Sequence, residues 1–87
     1  MRASITVTTS PTVVASADSE RDWMVVSNPS DATVYLDLTG ESASPLSVAT
    51  GIPLASGEKI AFEGIRARLQ IIAVTATGSK SLVVQGA

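Results

Sequence analysis

Short β-branched segments, broken by turn residues roughly every ten positions, leave this chain almost no room for an amphipathic helix. The clearest instance is Arg21 to Leu38, RDWMVVSNPSDATVYLDL. Strand side chains point to opposite faces in turn, so Trp23, Val25 and Ser27 share one face and Met24, Val26 and Asn28 the other. Both faces are largely apolar, the pattern of a strand inside a sandwich. In the second segment Val34, Leu36 and Leu38 oppose Thr33, Tyr35 and Asp37, as in a half-buried strand. Pro29 suits the second position of a type I turn, and Asn28 and Asp31 can bond the local backbone. The segment predicts a β-hairpin, with Trp23 in the core and Tyr35 as the surface aromatic.

The flanking chain reads the same way. SITVTT, from Ser4 to Thr9, alternates as an edge strand; Pro11 interrupts, and Thr12 to Ala15 resumes as a second short strand. Residues 1–17 are thus either edge strands or an arm reaching a neighbouring subunit. Ser16 to Asp22 forms a polar, acidic surface connection. Thr39 to Gly51 is a long Ser/Thr/Gly/Ala-rich loop in which Pro45 breaks regular structure, and Leu46 and Val48 can pin it to a surface. Ile52 and Leu54 share a face, Gly57 supplies a turn, and Lys59 to Phe62 forms another strand. Glu63 to Ala67 is a helical turn or loop across the sandwich end, with Ile65 directed inward. Leu69 to Thr75 and Lys80 to Gln85 predict a second hairpin around Ala76 to Ser79, its first strand central because both faces are apolar. The expected fold is all-β: one domain spanning residues 1–87, a small antiparallel β-sandwich or jelly-roll-like barrel of about seven or eight strands.

Composition narrows the function. Of the 87 residues 45% are hydrophobic but 3% aromatic, so the core is aliphatic and small. Without cysteine or histidine, no disulfide or thiolate site staples it. Burying surface against further copies is the remaining route, and a homo-oligomer is expected. A net charge of -2 gives no electrostatic footprint for nucleic acid or anionic membrane. The N-terminus lacks the apolar core of a signal peptide, and no run approaches a membrane span.

Catalytic patterns are weak. Asp18, Glu20 and Asp22 have the spacing of calcium ligands, yet Trp23 occupies the position that needs glycine and Pro29 the one that needs glutamate. A solvated acidic turn with Arg21 as partner accounts for the same residues. Ser56 to Lys59 matches S-x-x-K, but across a turn instead of along a helix. Asn28, Pro29, Ser30 is barred from glycosylation by its proline. No enzyme activity and no cofactor are expected. Arg66 and Arg68 would present two guanidiniums on one face if extended, suited to a carboxylate-rich partner.

The strand leading to Asn28 and Pro29, the strand carrying Val34, Tyr35 and Leu36, the Gly51-Ile52-Pro53-Leu54 segment, and Gly57 with Glu58 together resemble small all-β virion proteins of tailed bacteriophages. That resemblance covers roughly residues 21–85 and implies a structural role. It implies a decoration or cement protein on the capsid exterior, bridging subunits of the major capsid protein, with a trimer as the oligomer. The contact residues expected are Asn28, Pro29, Asp31, Tyr35, Arg66 and Arg68. A tail or fibre component, or a carbohydrate- or receptor-binding sandwich using Tyr35, Asp37 and the long loop, is the alternative.

Overall fold

The computed structural model describes residues 1–41 and 46–87, so Pro45 and its expected break lie outside the described residues. Eight strands follow in order: β1 (Arg2–Val7), β2 (Thr12–Ala15), β3 (Trp23–Ser27), β4 (Val34–Asp37), β5 (Ile52–Leu54), β6 (Lys59–Glu63), β7 (Ile71–Thr75) and β8 (Lys80–Gly86). A 3-10 turn, Gly64–Arg68, separates β6 from β7. The strands form two four-stranded sheets ordered β1-β8-β3-β6 and β2-β7-β4-β5, with every neighbouring pair antiparallel. This is the strand order of an eight-stranded jelly roll, in which all but one of the connections pass from one sheet to the other.

Period-two alternation builds the core. Val7, Met24, Val26, Phe62, Leu82 and Val84 point inward from the first sheet. Val14, Val34, Leu36, Leu54, Ile71 and Ala73 meet them from the second. Burying a side chain of this size contributes about 1.5–3 kcal/mol, so these two inner faces dominate the fold's stability. The residues before Ala17 belong to this architecture as two edge strands, β1 beside β8 and β2 beside β7.

Both expected hairpins are in fact sandwich corners. β3 pairs with β6 and β8, whereas β4 pairs with β5 and β7. Asn28 explains the first crossing. Its amide nitrogen donates to Ala32 O and Leu54 O, both at 2.8 Å, while its Oδ1 accepts from the Ser30 backbone N–H and hydroxyl. These bonds fasten the end of the first sheet to the second. β7 likewise sits at the centre of its own sheet between β2 and β4, so β8 crosses to pair β1 and β3. Alternation and a Gly78 turn at φ 65° serve a corner as well as a hairpin.

The 3-10 turn differs in direction as well. Ala67 is buried beneath it, and Ile65, expected inward, is 75% exposed. With three residues per turn, one position faces the core and those two removed from it swing away.

Candidate functional site

The outer faces of the two sheets carry the contrast most relevant to function. On the second sheet Ile72 and Val74 point outward and are buried, because Leu46 from the β4–β5 connection covers them with Tyr35 at its side. The connection can lie this close because residue 51 is glycine: a Cβ there would stand 2.6 Å from Tyr35 Cβ and 3.1 Å from Leu46 Cδ1. Backbone N–H groups of Thr50 and Gly51 donate to Ser47 O and close the turn that presents Leu46. Tyr35, the expected surface aromatic, is half-buried in this cover.

Among the described residues, the first sheet's outer face has no such cover. Its registers place Arg2, Gln85, Val25 and Ala61 in one row and Ser4, Val83, Ser27 and Lys59 in the next. Trp23 stands beyond them, opposite Glu63, and is 43% exposed. The expectation that Trp23 packs in the core is therefore corrected. Alternation put Met24 inward, and the residue before it had to face out. Val25, Ser27, Val83 and Gln85 line a shallow depression of about 270 Å³ on this face.

Around Trp23 the end of the sandwich is held by an arginine that sequence reasoning placed in a solvated turn. Arg21 is 3% exposed. Its Nε donates to Ala67 O, and one terminal nitrogen donates to Ser16 O at 3.1 Å and Leu69 O at 3.3 Å. Carbonyl dipoles from the end of the 3-10 turn thus solvate the guanidinium in place of a carboxylate. Arg68 completes the lock: its Nε donates to Arg21 O at 3.1 Å, and its guanidinium meets Asp22 Oδ1 at 3.4 Å.

Arg66 and Arg68 do not form the expected paired face. In a 3-10 turn, residues two apart lie about two thirds of a turn from one another. Arg68 folds back on the Arg21–Asp22 backbone, and Arg66 stands at the rim of a cleft of about 300 Å³ lined with Leu38, Phe62, Ile65, Leu69 and Ile71. At the opposite corner Pro29 is exposed, Asn28 is wholly buried, and Asp31 holds Lys80 Nζ at 2.8 Å. The Lys80 hydrogen bond, then its charge, keep the Asp31 carboxyl below the usual aspartate value. The six expected contact residues are therefore dispersed, Arg66 and Arg68 at one end, Asn28, Pro29 and Asp31 at the other and Tyr35 on the second sheet's outer face, and Asn28 is a structural fastening beneath the surface.

The acid and base candidates are also separate. Asp18 Oδ1 accepts the Glu20 N–H, while Asp22 pairs with Arg68. Ser56 donates to Ser30 O at 2.5 Å, and Glu58 accepts the Ala55 N–H, so these two serve a turn while Lys59 begins β6. Among the described residues, no three of Asp and Glu gather in a group able to hold a metal. No described helix is long and apolar enough to cross a membrane. Comparison of the chain with protein-family models, curated proteins and solved structures gave no match.

Proposed function

We propose that this chain is a structural protein of a tailed-bacteriophage virion, a decoration or cement protein on the capsid exterior that bridges subunits of the major capsid protein. The observation that carries the reading is the uncovered outer face of the first sheet. It is broad, mixes Val25, Val83 and Ala61 with Ser4, Ser27 and Gln85, and ends at an exposed tryptophan. Tryptophan supplies a large contact area and commonly anchors protein interfaces. Beside it the 3-10 turn presents Ile65, and Leu69 follows. A face of this kind suits a broad protein contact more than a small substrate, which fits best in a concave pocket with converging polar groups. The resemblance of Asn28-Pro29, Val34 to Leu36 and Gly51 to Leu54 to phage virion proteins supplies the class of partner, and jelly rolls are recurrent in capsid domains.

Gradient-purified virions from the source of the chain should contain it in fixed proportion to the major capsid protein. They should lose it, without loss of its fold, when Trp23 is replaced by alanine. A chain that stays entirely outside the particle fraction sinks the proposal.

A further inference from the structure

Each sheet ends in two edge strands, and the four edges differ in what they offer a neighbour. β5 is three residues long with Pro53 at its centre, which has no N–H to extend a ladder. β2 is short and irregular between Val13 and Ala15. β1 carries one charge, Arg2, and an antiparallel copy centred on Ser4 would set that charge against Thr6. β6, with the sequence Lys-Ile-Ala-Phe-Glu, differs from all three because its outward groups complement themselves.

The register shows which groups those are. Asn28 N–H donates to Glu58 O at 2.9 Å, and Gly64 N–H donates to Asp22 O at 3.0 Å. These pairs bracket the β3–β6 ladder, in which Met24 faces Phe62 and Val26 faces Ile60. Antiparallel pairs alternate between hydrogen-bonded and non-bonded, so the backbone N–H and C=O of Lys59, Ala61 and Glu63 point away from β3. All three residues are exposed. Lys59 and Glu63 lie four residues apart, about 13 Å along a strand, too far to pair with each other. The ion pairs among the described residues are Asp22 with Arg68 and Asp31 with Lys80, so neither of these charges is matched within the protomer.

We propose that β6 is a homodimer edge, pairing antiparallel with β6 of a second copy about a two-fold axis through Ala61. In that register Ala61 faces its own copy, and each Lys59 faces the partner copy's glutamate at position 63. The ladder gains bonds from the N–H and C=O of Lys59 and Ala61 and from the N–H of Glu63, whose carbonyl begins the 3-10 turn, and two opposite-charge cross-strand pairs form. The charges therefore specify register as well as attraction, since a shift by two residues sets a charge against Ala61. The two first sheets become one continuous sheet, and their uncovered outer faces lie side by side. An isologous contact of this kind builds a two-fold pair, in contrast to the trimer suggested by the phage resemblance. It does not depend on the virion reading: a chain that never binds particles still pairs.

Sedimentation equilibrium of the full chain from about 10 µM to about 1 mM, the range that a small edge contact demands, reads the association. Lys59→Glu or Glu63→Lys alone should weaken it about tenfold or more, and the double reversal should restore it, because opposite charges again meet. Ala61→Pro removes a donor at the axis while leaving the β3 ladder intact, and should abolish pairing. Amide exchange at rising concentration should slow at Lys59, Ala61 and Glu63 and leave Ser4 and Thr6 unchanged. A chain monomeric throughout the range overturns the proposal, as does association indifferent to the reversals or protection that appears at Ser4 and Thr6 instead. Circular dichroism of each variant separates lost pairing from lost folding; should Ala61→Pro unfold, the charge series decides.

Discussion

The two sheets share a core and differ on their outer faces. The second sheet shields Ile72 and Val74 with Leu46 and Tyr35 from its own chain; the first leaves Trp23, Val25, Ala61 and Val83 without such a cover among the described residues. Both faces began from the same β-branched vocabulary. What separates them is one connection and one glycine that lets it lie flat. The covered face is settled by intramolecular packing, and the uncovered one is available to another molecule.

The comparison breaks most severely when the covered face loses mass. Ile72 is 4% exposed, and Ile72→Ala should cost about 2–4 kcal/mol in chemical denaturation, through lost burial and the void left under Leu46. The same truncation at half-buried Val25 on the first sheet should cost clearly less. Equal losses would mean that the first sheet's face is packed as well. Gly51→Ala attacks the cover from above. Its Cβ would stand 2.6 Å from Tyr35 Cβ, so the connection must lift, at about 1–3 kcal/mol. Tyrosine fluorescence should report the added exposure of Tyr35 in that variant, and an unchanged spectrum would count against the lid.

Much of this architecture was legible in the chain. Alternation gave the all-β class and about seven or eight strands, including two on either side of Pro11, though the first runs Arg2–Val7 and not Ser4 to Thr9; the apolar double faces of β3 and β7 go with central positions. Pairing was not legible. A strand, a polar four-residue turn and another strand describe a corner as well as a hairpin, and what decided between them was Asn28 reaching Leu54 O, 26 positions away. Arg21 was opaque for a similar reason. Its partners are backbone carbonyls of Ser16, Ala67 and Leu69, and carbonyls carry no sequence signature. Trp23 was assigned by residue type when its parity with Met24 should have decided. Parity also sets Lys59, Ala61 and Glu63 on one face, but that β6 is an edge follows only from the pairing.

Trp23→Ala sharpens the contrast from the other side. With 43% of its surface exposed, the ring is only partly packed, and its removal should change stability by about 1–2 kcal/mol, less than Ile72→Ala. On the proposed virion role, binding to assembled particles should fall far more steeply, because an aromatic anchor concentrates interface energy. A large loss of stability with particle binding retained would return Trp23 to a purely structural role. Mutating the buried Ile72 should give the converse pattern, weaker folding with binding preserved wherever the chain remains folded.

The smallest effect expected belongs to the ion pair at the corner, where Asp31 in the β3–β4 connection reaches Lys80 at the start of β8. Lys80 holds the Asp31 carboxyl below its usual value, so the folded state binds that proton less readily than the unfolded state does. The pair's contribution is therefore fully present above the unfolded value of about 3.9 and fades as pH falls through the lower folded value. Asp31 is almost entirely in water, which screens the attraction and keeps the effect small. Thermal midpoints measured from about pH 6 down to about pH 2 should show Asp31→Asn slightly below wild type at the upper end and converging with it at the lower. The gap should also shrink in high salt. A gap comparable to that of Ile72→Ala would mean that a surface charge pair rivals the apolar cover, and the distinction between an internally packed sheet and an open one would lose its thermodynamic basis.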